Sequence, residues 1–367
     1  MEDGNRAGAD VEPIAWIDGK PVSFDDAVAE AVSLLNAAST PVFGHLGADV
    51  EGAREAMLLA ELVGGVVDHA ASAALLGDLD AIRESGAMLT TPLEAATRAD
   101  TVLLVGDTAV KSWRESAQWL ARPARPHDQD VTRCVIGLLG SSSDAAAPPE
   151  TSIIEVGPGL LPFLASLRAC AKQRPVEDVS ANALSATLLG AKFGVAMWSA
   201  AELEPLAIEA IQGLIRDLNE TTRFSTLALP VPDNGLGVQT VCGWMTGFPM
   251  RTGFPHGAPE HDPWRYDARR LIATGEADCL LWVSSIEGGA TAPAETKIVL
   301  CPRESQLGSI SRVRFAVARP GVDVDGVLHD PRVGGFVAAR GLSCAPREPT
   351  VAAVLAGIRV RLGGSPC

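Results

Sequence analysis

No cysteine in this chain of 367 residues stands in a Cys-x-x-Cys pair. The seven present, Cys134, Cys170, Cys242, Cys279, Cys301, Cys344 and Cys367, are scattered and odd in number. Neither a disulfide framework nor a zinc or iron–sulfur motif is indicated, and most of these thiols read as small buried hydrophobes. Basic residues are scarce too: Lys+Arg number 30 against Asp+Glu 45, a net charge of −15. That balance argues against a nucleic-acid backbone or an anionic membrane as partner, and leaves room for a basic protein. No apolar run is long enough to span a bilayer. The start, Met1-Glu2-Asp3-Gly4-Asn5-Arg6, is polar and acidic where a secretory signal would be basic and then apolar, so the cytoplasm is the expected compartment.

Ligand fingerprints are missing as well. Gly44-His45-Leu46-Gly47 lacks the third glycine of a dinucleotide loop, and no Gly-Lys-Ser/Thr occurs. Asp107 and Glu287 put negative charge where a polyphosphate would need amides and cations. No Gly-x-Ser-x-Gly elbow exists to make a nucleophile of Ser72 beside Asp68-His69, and His69 at a strand end reads better as a hydrogen-bonded structural residue. His256-Gly257-Ala258-Pro259-Glu260-His261-Asp262 is the densest set of metal-ligand types, but glycine and proline break it, and a solvated loop is the better reading.

What the chain does have is a repeat. Thr97-Arg98-Ala99-Asp100-Thr101-Val102-Leu103-Leu104-Val105-Gly106 returns as Thr274-Gly275-Glu276-Ala277-Asp278-Cys279-Leu280-Leu281-Trp282-Val283. Each copy is a helix exit, an Ala-Asp step and a short apolar run, the pattern of a strand buried on both faces. Around these two strands, helical spacings alternate with short apolar runs such as Pro41-Val42-Phe43-Gly44, Val66-Val67, Arg133 to Ile136, Ser152 to Val156, Phe224 to Leu229, Thr296 to Leu300 and Arg312 to Val317. The fold class is α/β, with two pseudo-repeated, doubly wound, Rossmann-like parallel-sheet halves. The expected division is a mobile tail over 1–15, a first half over 16–175, a second over 176–320, and a C-terminal hairpin and helix over 321–367. A small hairpin opens the first half at Ile14 to Val22. Val322-Asp323-Val324-Asp325-Gly326-Val327-Leu328 reads as strand, Asp-Gly turn and strand. The Pro- and Ser-rich stretches Arg122 to Asp130 and Ser141 to Pro149 read as surface loops, and Pro158 as the start of a helix.

Trp244, Met245, Phe248, Met250, Phe254 and Trp264 gather around a long Gly- and Pro-containing loop. Such a cluster is either core under the loop or a contact patch for another protein. In the second case Trp244, Met245, Phe248, Arg251 and Phe254 form the interface, with Arg251 as anchor.

The stretches Trp16-Ile17-Asp18-Gly19-Lys20, Val67-Asp68-His69-Ala70-Ala71-Ser72, Ala99 to Gly106 and Gly243-Trp244-Met245-Thr246-Gly247-Phe248-Pro249 together resemble the beta subunit of formylmethanofuran dehydrogenases, a branch of the molybdopterin oxidoreductases. The resemblance runs from about Trp16 to Leu342. It implies three sites that this sequence has lost. Redox members carry an N-terminal cysteine cluster for a [4Fe–4S] centre, whereas no cysteine precedes Cys134 here. They place a metal-ligating cysteine after the Asp-His-x-Ala-Ser stretch, where the register puts Ala74. Their Gly-x-Asn-Pro turn toward the pterin's phosphates is replaced by Gly106-Asp107-Thr108-Ala109. Asp68, His69, Ala74, Gly106 and Asp107 would then line a vestigial pocket with no catalytic, metal or cofactor role.

Within that branch the chain is most similar to the beta subunits of bacterial formyltransferase/hydrolase complexes. The resemblance implies a non-catalytic structural subunit, without cofactor, in the company of an amidohydrolase-like alpha subunit, a gamma subunit and a formyltransferase delta subunit. Such complexes move a formyl group from formyl-tetrahydromethanopterin to a methanofuran-like carrier and release formate. An active pterin-dependent oxidoreductase subunit and a free-standing Rossmann-like nucleotide-binding enzyme are the alternatives.

Overall fold

The computed structural model describes residues 12–120, 132–140, 151–156, 159–286, 291–305, 311–342 and 347–364. Most of the expected N-terminal tail, both Pro/Ser-rich loops, Pro158, Glu287, Cys344 and Cys367 lie outside the described residues.

The chain begins with β1 (Ala15–Ile17) and β2 (Lys20–Pro21), then α1 (Phe24–Ala37), β3 (Pro41–Gly47), α2 (Val50–Val63) and β4 (Val66–Val67). Local chemistry sets these limits. Ser23 caps α1 by accepting from the Asp26 amide at 3.1 Å, and Asp49 caps α2 through the Gly52 amide at 3.0 Å. Gly64 ends α2 in the left-handed conformation at φ +67°. There follow α3 (Ser72–Ser85), α4 (Pro92–Arg98), β5 (Thr101–Val105), α5 (Asp107–Leu120), β6 (Cys134–Gly140), β7 (Thr151–Val156), α6 (Leu160–Ala171), α7 (Val179–Leu189), β8 (Gly194–Trp198), α8 (Pro205–Leu218) and β9 (Phe224–Ala228). The remainder is α9 (Gly235–Thr246), β10 (Thr252–Gly253), β11 (Glu260–His261), α10 (Ala268–Ala273), β12 (Cys279–Ser284), β13 (Thr296–Cys301), β14 (Val313–Ala316), β15 (Gly326–Asp330), β16 (Gly335–Ala339) and α11 (Val351–Arg361).

Two compact units result, and they do not divide the chain near Pro175. The first comprises Met1–Ala70, Asp233–Leu328 and Ala338–Cys367; the second, Ala71–Pro232 with His329–Val337, interrupts it. The organising strands are confirmed as β5 and β12, each in its own sheet, but the strands beside them are not those nearest in sequence. In the second unit the order is β7-β6-β5-β8-β9, all parallel. In the first, a nine-stranded sheet contains the parallel run β14-β13-β12-β3-β4, flanked by antiparallel β1-β2 at one edge and β10-β11 at the other. The two five-stranded cores therefore share one spatial order. In the second unit the strand equivalent to β12 comes first in the chain; in the first unit β3 and β4 precede β12. The relationship is a circular permutation with the second unit inserted after β4, rather than two consecutive halves.

Strand β8 escaped the sequence pattern, which offers Phe224 to Leu229 as the first strand after α8 to be compared with β3. Topology instead equates β8 with β3 and β9 with β4. Gly194-Val195-Ala196-Met197-Trp198 shows no alternation because it is buried on both faces. Its glycine is a packing necessity, since a Cβ there would stand 2.0 Å from the buried Phe224 ring. The C-terminal hairpin is also displaced. Asp323 accepts from the Arg319 amide at 2.9 Å and Nε at 2.8 Å, which holds Val322–Val324 in a turn. The hairpin is β15 with β16, so the chain reverses at Pro331–Gly334, where Gly334 has φ +69°, and not at Asp325-Gly326.

Both sheets are covered on two faces, as double winding requires. In the second unit Leu103 and Val105 join the core formed with α6, α7 and α8, while Val102 and Leu104 face the core containing Ala95, Val110 and Trp113 of α4 and α5. In the first, Phe43, Leu281, Leu300 and Phe315 pack with α1, α2, α9 and α11, and Val42 and Leu280 pack with Tyr266 and Leu271.

Candidate functional site

A parallel sheet offers its ligand crevice where successive strands begin to add on opposite sides, at their carboxyl ends. The strand orders place that point between β3 and β12 in the first unit and between β5 and β8 in the second. In each unit, side chains of the protein itself occupy this end of the sheet.

In the first unit, His45 and Leu46 adopt positive φ, +65° and +50°, where the β3–β12 register shifts between Trp282 and Ser284. This bulge re-aims His45. Its ring stacks on Trp282 with centroids 4.7 Å apart and lies parallel to His69 at 6.2 Å. Its Nε2 is 3.3 Å from Asp233 Oδ2. Asp233 and Asn234 are themselves left-handed, φ +55° and +58°, and Asn234 donates to the Ala48 carbonyl at 2.8 Å. The Ser285 amide and hydroxyl both donate to the Gly47 carbonyl at 2.8 Å. Left-handed conformations at non-glycine residues cost about 1–3 kcal/mol each. Four of them here mark a segment that its surroundings hold in place. His45, His69 and Asp233 are all buried.

His69 Nε2 lies 3.2 Å from the Asp233 carbonyl, and burial pushes its pKa down to about 4. It is therefore a neutral imidazole at pH 7 with a backbone partner, as expected of a structural residue. Asp68 accepts from the Ala268 amide at 2.9 Å and so fixes the start of α10. Arg251, the expected anchor of an interface, is turned inward: it pairs with Asp267 at 2.8 Å and its Nε is 3.8 Å from Asp68. Phe254 is buried in the core, whereas Trp244, Met245 and Phe248 are exposed. The expected patch thus reduces to these three side chains.

In the second unit, Gly106, φ +92°, is the single residue between β5 and α5. The amides of Asp107 and Thr108 donate to Glu202 Oε1 and Oε2 at 2.6 and 2.7 Å. Glu202 lies in the turn after β8, on the other side of the switch point. Ala74 is buried in α3, and its methyl group offers no donor. Of the expected pocket residues, Asp68 and His69 belong to the first unit and Ala74, Gly106 and Asp107 to the second. His45 was weighed only as part of a glycine loop and Trp282 only as part of the repeat, while Asp233 and Glu202 were not singled out in the sequence. The His-Leu and Asp-Asn pairs carry a faint signal, because His, Asp and Asn tolerate positive φ best. Glu202 carries none, being 95 residues from Asp107.

The His256 to Asp262 loop contributes β11, with His261 stacked on Phe248 at 6.2 Å and its Nδ1 3.0 Å from the Arg251 carbonyl. Among the described residues no group of three or more His, Cys, Asp or Glu side chains could hold a metal ion, and no helix is long and apolar enough to cross a membrane.

Fold and site together define a two-unit α/β protein with parallel sheet cores, in which polar side chains of the protein itself meet at the strand ends beside each switch point. No protein-family model matches the chain. It is 35% identical over 355 residues to the beta subunit of the formyltransferase/hydrolase complex of Methylorubrum extorquens, across 95% of this chain and 98% of that one. The chain belongs to the family of that subunit. The crystal structure of the Methylorubrum extorquens formyltransferase/hydrolase complex with methylofuran contains a chain that superposes with a TM-score of 0.86 at 35% identity, over 95% of this chain and 98% of that one. The beta subunit of tungsten-containing formylmethanofuran dehydrogenase 2 is 24% identical in Methanocaldococcus jannaschii and 26% in Methanococcus maripaludis, each over 85% of this chain and 77% of the relative.

The tungsten-containing relatives direct attention to the donor atoms available here. Ala74, where the resemblance puts a metal-ligating cysteine, is buried and carries only a methyl group. The Asp107 and Thr108 amides, which an anionic group would need, already serve Glu202. The described cysteines, Cys134, Cys170, Cys242, Cys279 and Cys301, join no group of three or more His, Cys, Asp or Glu side chains that could hold a metal ion among the described residues.

Proposed function

We propose that this chain is a non-catalytic structural subunit of a cytoplasmic formyltransferase/hydrolase complex. The complex passes a formyl group from formyl-tetrahydromethanopterin to a methanofuran-like carrier and hydrolyses the product to formate. An amidohydrolase-like alpha subunit and a formyltransferase delta subunit carry the chemistry, and this chain contacts alpha and gamma. It holds no metal, iron–sulfur cluster or pterin of its own.

The observation that carries the reading is Ala74, a buried methyl group within a chain related end to end to the beta subunit of such a complex. A methyl has no lone pair to give a metal, and among the described residues no cluster of three or more His, Cys, Asp or Glu side chains replaces it. The exposed Trp244, Met245 and Phe248 at the end of α9 support a role in assembly, because aromatic and methionine side chains are enriched at protein interfaces.

Affinity purification of the tagged chain from its own cells tests this. The expected result is co-purification of alpha, gamma and delta subunits, formyl transfer and hydrolysis in the assembled material, and no stoichiometric tungsten, molybdenum or iron. A chain that purifies without companions, or a complex that carries one of those metals and reduces dyes with formate, overturns it.

A further inference from the structure

We infer that the second unit's sheet takes up an extended, acid-bearing segment of a partner subunit as one further strand, alongside Met88–Thr90. The inference rests on the complex proposed above and assigns a contact distinct from the exposed side chains at the end of α9.

Strand β9 is the last strand of its sheet, yet Met88–Thr90 lies beyond it and pairs with it at Thr226. The Thr226 amide donates to the Met88 carbonyl at 2.7 Å, and the Thr90 amide to the Thr226 carbonyl at 3.1 Å. Both bonds run toward β9, so the N–H and C=O of Leu89, the residue between, point the other way. Among the described residues no hydrogen bond reaches either group. A sheet edge with free backbone groups is a template for another strand, and proteins commonly blunt it with charged side chains. Here Ser85 to Leu93 contains no charged residue, and Met88, Leu89 and Leu93 are 50, 63 and 64% exposed.

Charge identifies the arriving strand. Glu94 Oε1 accepts from Arg98 at 2.8 Å and from Arg223 at 3.4 Å, while Glu94 Oε2 accepts from the Thr90 hydroxyl at 3.0 Å. Two guanidiniums to one carboxylate leave a surplus of positive charge beside this edge, in a chain whose net charge is −15. Both guanidiniums lie against the Phe193 ring, 5.1 and 5.2 Å from its centroid, and their side chains remain partly exposed. They are held in place before a partner arrives, so an aspartate or glutamate on the incoming segment meets a prepared site. Asp100, just before β5, is buried and already accepts from the Lys192 and Phe193 amides. Two copies of this chain meeting edge to edge would set Arg98 and Arg223 against their own counterparts, which disfavours a homodimer here. In strand addition the backbone bonds supply affinity and the side chains selectivity.

Hydrogen exchange of the Leu89 amide, followed by mass spectrometry in the isolated full-length chain and in the purified complex, tests this. Exchange is expected to slow about tenfold or more in the complex. Leu89→Pro removes the outward N–H but neither bond to Thr226. It is expected to keep the Tm of the isolated chain within about 2 °C of wild type and to lower recovery of partner subunits. If Leu89→Pro does not fold, the exchange comparison in wild type decides alone. Arg223→Gln is expected to lower recovery about two- to fivefold, more at low salt than at high. Equal exchange in chain and complex overturns the inference, as does protection in the isolated chain that fades on dilution, which assigns the edge to a second copy. Undiminished recovery with Arg223→Gln overturns the acidic character of the segment. A chain that purifies without companions overturns the complex and this contact with it, so the two failures are told apart.

Discussion

Asp100 and Asp278 perform the same task in the two sheets. Asp100, just before β5, accepts the Lys192 amide at 2.9 Å and the Phe193 amide at 3.4 Å ahead of β8. Asp278, just before β12, accepts the Ser39 and Thr40 amides at 2.6 and 2.9 Å ahead of β3. Each carboxylate thus clamps the start of the parallel strand across its switch point. Charge-assisted hydrogen bonds contribute about 1.5–3 kcal/mol. Asp100 is buried and Asp278 more accessible, so Asp100→Ala is expected to cost the larger part of that range and Asp278→Ala about 1 kcal/mol, read by urea unfolding. Equal losses would refute the assigned difference in environment.

Glu55 of α2 and Arg359 of α11 form a buried ion pair, Nε to Oε2 at 2.9 Å, that ties the C-terminal helix to the first unit's core. Removing one partner leaves the other charged and desolvated. Arg359→Met is expected to destabilise by about 3–5 kcal/mol, and Glu55→Leu with Arg359→Met to recover most of that loss. Chemical denaturation of the single and double variants measures the coupling.

Asp78 supplies a pH dependence. Burial raises its pKa to about 6, against which the Trp198 indole works by donating to Oδ1 at 3.1 Å. The folded pKa lies above the unfolded one, so the contribution to stability is full below about 3.8 and is lost as pH rises through about 6. Asp78→Asn keeps an acceptor for the indole without the charge. It is expected to be more stable than wild type by about 1–2 kcal/mol at pH 8, with the advantage shrinking toward pH 4. Melting the two proteins across that range checks the sign, and a constant difference would show that Asp78 does not titrate in the folded state as stated.

The side chains at the end of α9 separate assembly from folding. Trp244 is 64% exposed and Phe254 2%. Trp244→Ser is expected to leave the melting of the isolated chain within about 0.5 kcal/mol of wild type and to reduce recovery of partner subunits. Phe254→Ala is expected to cost about 3–5 kcal/mol by leaving a cavity. Thermal melts alongside quantitative co-purification resolve the two, and undiminished recovery with Trp244→Ser would remove that residue from the contact surface.

Much of this was legible in the sequence. The Ala-Asp steps and the apolar runs after them identified the central strands, because a strand buried on both faces must be continuously apolar. The lack of clustered cysteines argued against a thiolate-held metal, and the resemblance put Ala74, whose methyl group has no donor atom, at the ligand's position. Strand β8 was hidden by the same uniformity that marked β5, together with a glycine forced by Phe224.

Tertiary structure alone decided which sheet each strand joined. Backbone pairing between parallel strands leaves no residue code for its partner, so β3 and β4 could be assigned to β12 only by the long-range contacts themselves. It also decided what stands in the crevices. Glu202 reaches α5 and Asp233 reaches His45 across separations that no local spacing records, because a charge finds its partner through space.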